Sequence, residues 1–401
     1  MIFSTYWFVS AVTVFLAFYA ISDSKLRTVL LVAFCIIFHT HFAGAAGVLP
    51  IVVLGVLTYL LARAKYRSAQ FFGIIVCVSA LVFYKYSHFI CREVLGAIFQ
   101  NGGKDLDAAV NTFLPAAPPL AISFFLFEFV HYLWDVSKGT EVIKKPLHFL
   151  QFAIFFPSLV AGPIKRYENF LPALEIGKKE ANAKDFAQGL VQVAGGFFKK
   201  IVLADNLTLY ITATTPRFAY ISVPERWFLL FALAFRIYFD FSGYSDIAIG
   251  IARMLGIELP INFNWPYVAR SMQEFWHRWH ISLSLWVRDY VYIPLGGSRH
   301  GTGRTVLNAI VAFALCGLWH GAAWNFLFWG LYHGIGLTLA VTYRKNFGRL
   351  GRALGQVFDK LPATAWLTTF CYVSFGWLLF FYPIPQALEM LRLLFSPAVL
   401  E

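Results

Sequence analysis

Apolar runs follow one another along the chain with little polar sequence between them. They cover about residues 5–21, 28–44, 47–62, 70–91, 113–134, 148–164, 186–212, 227–256, 305–320, 322–342 and 364–383. A helix that crosses a bilayer needs roughly 20 such residues, so the pattern predicts an all-α polytopic membrane protein with roughly nine to eleven membrane helices. Several runs are shorter and contain Gly or Pro. These are expected to be re-entrant or interfacial, where protein or a water-filled cavity covers the open backbone. Ten-residue alternation of polar and apolar positions, the mark of a β-barrel, does not recur. Nor is there an inverted repeat of the kind that builds secondary transporters. No long polar segment could fold separately, so residues 1–401 read as a single membrane-embedded domain.

Three segments depart from this pattern. Residues 98–112 read as an exposed loop, and the Lys- and Glu-rich residues 165–185 as a solvated loop leading to the helix near 186. Residues 270–292 mix arginines, Glu274, His277 and His280 with Trp276, Trp279 and Trp286, and cannot span lipid. At about 100° per residue, Trp276, His280, Leu283 and Val287 share one stripe, which predicts an amphipathic helix in the interface or beside a polar cavity. Tyr292–Gly301 then reads as a turn-rich basic loop.

Composition agrees with lipid as the solvent. Hydrophobic residues make up 59% of the chain and charged residues 13%, where a soluble domain carries about 25% charged. The net charge of +12 invites a nucleic-acid reading. The cations, however, lie in short clusters between apolar runs, such as Arg63-Ala64-Lys65-Tyr66-Arg67, Lys144-Lys145, Lys199-Lys200 and Arg344-Lys345. That is the pattern of cytoplasmic loop ends, with anionic membrane lipids rather than nucleic acid as partners. No basic residue precedes the first apolar run, so residues 5–21 read as a retained membrane helix rather than a signal peptide. The five cysteines stand singly in apolar surroundings and read as small buried hydrophobes.

Chemistry points to two Trp-His dipeptides, Trp279-His280 and Trp319-His320. An ionisable group inside an apolar run is costly and reads first as functional. A desolvated imidazole favours its neutral, proton-accepting form, which suits His320 to act as general base on a hydroxyl. Gly321 lets a substrate or a neighbouring helix approach closely. His280 is the natural second member. His277 lies three residues earlier, but a metal site needs a third ligand and no such spacing is present. His333, in Leu331-Tyr332-His333-Gly334, would lie roughly 140° from His320 on a continuous helix and is expected to stand apart from the site. Asp240 and Asp246 lie within an apolar run and should be paired, with Arg236, Arg253 or Arg288 as partners, either as ion pairs of the fold or as a lining of the reaction tunnel. Gly243-Tyr244-Ser245-Asp246-Ile247 lacks the last Gly and the strand–turn–helix setting of a serine-hydrolase elbow.

At these residues the chain resembles the membrane-bound O-acyltransferase family. More narrowly, it resembles the bacterial branch of alginate O-acetyltransferases and D-alanyl-lipoteichoic acid transfer proteins. The matching blocks are Phe156–Ile164, Phe198–Asp205, Tyr238–Asp246, Leu259–Phe263, Glu274–Ser282, Arg288–Gly297 and Leu318–Gly321. Tyr292-Ile293-Pro294-Leu295-Gly296-Gly297 tilts the resemblance toward the acetyltransferases.

The resemblance implies helices around a central cavity that thins the membrane, with His320 as the catalytic histidine and His280 as the second. Trp279, Trp319, Asp240, Asp246, Asn264, Arg288 and Asp289 are candidates to line the substrate path, and Asn264, Trp279 or Arg288 to stabilise the oxyanion. The expected reaction is acyl transfer, from acetyl-CoA or another thioester used as substrate, with no bound cofactor. The acceptor would be a hydroxyl of an exported polysaccharide or a periplasmic acetyltransferase partner, reached from the bacterial inner membrane. D-alanyl transfer, a proton-coupled transporter and a non-catalytic export component remain the alternatives.

Overall fold

The computed structural model describes residues 2–99, 101–114, 118–180 and 182–397. About 80% is helical, with no strand among the described residues. Five helices are long and apolar enough to cross a membrane: Ser24–Ala62, Arg67–Phe99, Gly301–His320, Trp324–Asn346 and Pro362–Phe381. The chain is an integral, polytopic membrane protein. Among the described residues, most of the apolar runs outside these five lie in helices that are shorter or that carry charge.

The chain folds as two compact units, the first comprising residues up to Gly196 with Tyr244–Pro260, the second Phe197–Gly243 with Ile261 onward. In the first, the helices are α1 (Tyr6–Ile21), α2 (Ser24–Ala62), α3 (Arg67–Leu81), α4 (Asn101–Asn111), α5 (Ile122–Ser137), α6 (Pro146–Ala153), α7 (Tyr167–Glu180) and α8 (Ala183–Phe197). α2 joins two of the apolar runs, and Gly44 breaks it with φ +65°, a left-handed conformation that suits glycine. The core is largely phenylalanine: Phe156 packs edge-on against Phe34 at 4.8 Å and Phe15 at 5.8 Å between ring centroids, arrangements aromatic rings favour.

Three expectations for this unit are corrected. Residues 148–164 do not form one helix. α6 ends at Ala153, and Ile154–Ile164 runs as buried turns around Pro157 and Gly162-Pro163. A Cβ on Gly162 would strike Ser158. The expected loop at 98–112 is mostly helix α4, because Asp107 folds it back by accepting from Arg92 Nε at 2.7 Å and meeting His88 Nδ1 at 2.7 Å. Gln100 lies outside the described residues. In 165–185, α7 forms because Tyr167, Phe170 and Leu174 give the Lys- and Glu-rich segment one buried face. Ala181 lies outside the described residues. Lys165, just before α7, is buried with its ammonium 2.5 Å from Glu128 and over the rings of Phe152 and Phe170.

The second unit contains α9 (Asp205–Thr214), the part of α10 (Val223–Met254) up to Gly243, α11 (Met272–Arg278), α12 (Ile281–Val287), α13 (Gly301–His320), α14 (Trp324–Asn346), α15 (Gly348–Lys360), α16 (Pro362–Phe381) and α17 (Ile384–Leu393). The turn between α13 and α14 is only Gly321-Ala322-Ala323. The two helices pack backbone against backbone, since a Cβ on Gly317 would strike Phe326 O and one on Gly330 would strike Phe313 O. Small residues at such crossings let helices associate where lipid supplies no hydrophobic drive. The five cysteines are free, and all but Cys371 are buried.

Candidate active site

His280 occupies a break in the chain rather than the face of a helix. The expected amphipathic helix over 270–292 is two short helices, α11 and α12, with Trp279 extended and His280 left-handed at φ 42°, ψ 55°. A non-glycine residue there is uncommon and persists where its surroundings over-determine it. The segment Asn262–Asn264 does so. Asn264 N donates to Arg278 O at 2.9 Å, and Ile281 N to Asn262 O at 2.9 Å. The Asn262 side-chain oxygen accepts from Ser282 N at 3.3 Å and from Ser282 Oγ at 2.6 Å. Arg278 closes the bracket by donating to Asn264 O at 3.0 Å and to Glu274 Oε1 at 3.0 Å.

The bracket turns the His280 ring into an aromatic box. It meets Phe241 edge-on at 4.6 Å, and Phe263 lies nearly parallel at 6.5 Å. Trp319 is 6.2 Å away. The residue is 1% exposed, and its Nε2 has no hydrogen-bond partner among the described residues. Burial holds the imidazole well below its ordinary pKa, and a charge on His320 would lower it further. His280 is therefore neutral at neutral pH.

His320 is the last residue of α13. Its ring meets Trp319 at 4.7 Å, Trp329 of α14 at 5.1 Å and Phe380 of α16 at 5.1 Å. The two Trp-His dipeptides thus converge, with Trp319 against both imidazoles. Their burial reverses the expected order: His280 is enclosed and His320 half-exposed. Gly321 serves the helix pair, because a Cβ there would overlap the Phe326 ring.

The remaining candidates divide. Trp279 is 4% exposed and packs on Trp377 at 5.0 Å and Phe263 at 5.1 Å, as part of the wall. Asn264 contributes its backbone to the bracket, and its side chain is exposed. Arg288 donates to Asp289 at 2.7 Å and lines an apolar cavity of about 530 Å³ with His277, between α12, α13 and α14. Asp240 is paired with Lys200 at 2.8 Å, and Lys200 also with Asp205 at 2.6 Å. In the first unit, Asp246 accepts from Gln192 at 3.4 Å. For Asp240 the expected arginine partner is corrected to Lys200, while Arg236 donates to Thr208 Oγ1 and Arg253 to Gln188. Six helical positions turn about 240°, so Asp240 and Asp246 leave α10 on different faces. Gly243-Tyr244-Ser245-Asp246-Ile247 lies inside helical α10, away from any strand–turn–helix setting.

Sequence reasoning passed over His333. It is fully buried against Trp329 at 4.8 Å and Trp276 at 5.2 Å, so Trp329 touches both His320 and His333. The break at Gly321 folds α14 back on α13, which voids the single-helix geometry that set His333 apart. Asn262 and Phe241 were also missed as site residues, although both fall in segments that carry the family resemblance.

Residues 144–382 match the membrane-bound O-acyltransferase family. The chain belongs to this family. It is 34% identical over 382 residues to a probable alginate O-acetylase of Azotobacter vinelandii, covering 91% of this chain and 72% of that one. It is 34% identical over 334 residues to a peptidoglycan O-acetyltransferase of Helicobacter pylori, covering 77% and 60%. Over 276 residues it is 29% identical to a teichoic acid D-alanyltransferase of Bacillus subtilis, covering 65% and 68%. The chain is thus an acyltransferase enzyme of the membrane, and both histidine dipeptides fall within the matched residues.

Proposed function

We propose that the chain transfers an acetyl group from a thioester donor, acetyl-CoA, to a hydroxyl of an exported polysaccharide, either an alginate-like exopolysaccharide or a cell-wall glycan. The bacterial inner membrane is its site, and a periplasmic acetyltransferase is a candidate relay for the acetyl group. The observation that carries this reading is the convergence of His280 and His320 on Trp319 within the family segment. His320, the more open imidazole, takes the proton of the acceptor hydroxyl as its oxygen attacks the thioester carbonyl. The tetrahedral adduct collapses, the carbon–sulfur bond breaks, and the leaving thiolate takes the proton from the His320 imidazolium. His280, neutral and held in place by Asn262, orients the acceptor or the donor carbonyl. Aromatic walls keep water from the thioester and strengthen each polar contact. Arg299 and Arg304 at the start of α13, and Arg344 and Lys345 at the end of α14, lie at the end of the helix pair opposite His320. Cationic ends mark the cytoplasmic side, which supports approach of the acceptor from the far side.

The test is His320→Ala at matched membrane abundance, reading acetyl and D-alanyl esters on exported polymer by NMR. Loss of acetyl esters supports the reading, and undiminished acetylation overturns it. D-alanyl esters that vanish instead would reassign the acyl group.

A further inference from the structure

Helix α15 divides its surface into three stripes. Gly351 and Gly355 are buried against Tyr343 and Arg344 at the end of α14. Leu350, Leu354 and Val357 are 62%, 42% and 44% exposed on a second stripe. Arg349, Arg352, Gln356 and Lys360 are exposed on the third. A helix with one face on protein, one apolar face open and one cationic face lies in a membrane interface, its apolar stripe below the headgroups.

Beneath this helix is a cavity of about 780 Å³, bounded by the C-terminal half of α14, by α16 and by Arg270–Met272. The volume is within the range of ligand pockets. Its walls are mostly apolar, with Leu339, Phe347, Leu354, Phe358 and Tyr372 prominent. Arg270, Arg344 and Asp359 supply the charge. Arg344 donates to Asp359 at 2.6 Å and to Tyr343 OH at 3.0 Å. The Arg270 guanidinium has no carboxylate partner among the described residues. Across Arg344–Lys360, five cations face the single acid Asp359. α14 has 23 residues, so its C-terminal half is well removed from its start beside His320.

We propose that this cavity binds an anionic phospholipid, with an acyl chain among Leu339, Phe347, Leu354 and Phe358 and the headgroup phosphate on Arg270 and Arg344. Charge complementarity selects the lipid: an excess of cations rims an apolar chamber that opens beside an interfacial helix. Arginine recognises phosphate through its planar fork. The site is independent of the acyl-transfer chemistry and does not depend on the acetyl reading.

Native mass spectrometry of the detergent-purified full chain tests this, with phosphatidylglycerol and phosphatidylcholine added at equal concentration. The wild type should retain phosphatidylglycerol preferentially. Arg270→Ala should weaken retention about fivefold, the effect of one cation near an anionic surface. Leu354→Trp fills the chamber, leaves every charge in place, and should reduce retention as well. Thermal melting in the same detergent identifies any variant that is misfolded; Leu339→Phe, on the α14 wall of the chamber, then replaces Leu354→Trp, and Val357→Trp, on the open stripe and outside the chamber lining, is the control that should retain lipid. Equal retention of the two lipids, or retention unaffected by both Arg270→Ala and Leu354→Trp, overturns the proposal. So does full displacement by glycerol 3-phosphate, which would mark a site for soluble phosphate alone.

Discussion

Ser282 donates both its backbone N–H and its hydroxyl to the side-chain oxygen of Asn262, at 3.3 and 2.6 Å. The pair is buried, and it flanks the left-handed His280. Asn262→Ala should therefore cost about 1–3 kcal/mol through the unsatisfied Ser282 groups. It should lower acyl transfer by more than that stability loss explains, since His280 loses its bearing. Asn262→Asp, which keeps an accepting oxygen, should recover part of the activity at equal membrane abundance.

His280 carries both a ring and an unusual backbone. Asparagine tolerates the left-handed conformation better than alanine does. His280→Asn should keep near wild-type thermal stability while activity falls on the order of 10²-fold, the usual scale for a positioned proton-handling group. His280→Ala should lose stability as well. If the two histidines act as a unit, adding His280→Asn to His320→Ala should reduce the residual rate little further. Steady-state transfer assays on all four proteins check this, and a fully additive double variant would contradict it.

Acid should destabilise the protein through His280. Its folded-state pKa lies well below the ordinary value because it is buried. Above the unfolded value of about 6.5, neither state binds the proton and the stabilising term is fully present. Below it the unfolded chain takes up a proton that the folded chain refuses, so stability falls by up to about 1.4 kcal/mol per pH unit. Melting curves between pH 8 and pH 5.5 should show a shallower acid decline for His280→Asn than for the wild type.

The buried pair Lys165–Glu128 has a partner-specific signature. Glu128→Ala strands a buried ammonium and should cost about 3–5 kcal/mol, seen as lost membrane abundance. The double variant Glu128→Leu with Lys165→Met should be milder, because it removes both charges together.

Much of the fold was legible because membrane helices announce themselves by length and hydropathy. The runs at 305–320, 322–342 and 364–383 became α13, α14 and α16 within a few residues. What hydropathy could not convey was buried irregular backbone. Ile154–Ile164 is as apolar as a helix but is broken by its prolines, and α7 hides one apolar face among lysines and glutamates. At the site, both Trp-His dipeptides were visible as costly groups in apolar sequence. The left-handed turn at His280 was not, since it arises from hydrogen bonds to a segment sixteen or more residues earlier. The same holds for Asp240. Its partner Lys200 is forty positions away, and pairing by charge type alone had favoured arginine.

The three-residue turn between α13 and α14 also bears on how the enzyme is made. A turn this short, with Gly317 and Gly330 in backbone contact, favours entry of the two helices into lipid together as a hairpin. A nascent chain arrested before α14 emerges would hold His320 at the end of a lone helix, lacking Trp329 beside it and Phe326 against the turn. Pairing of α13 with α14 thus brings Trp329 and the turn to His320, and Phe380 of α16 completes its surroundings only afterwards.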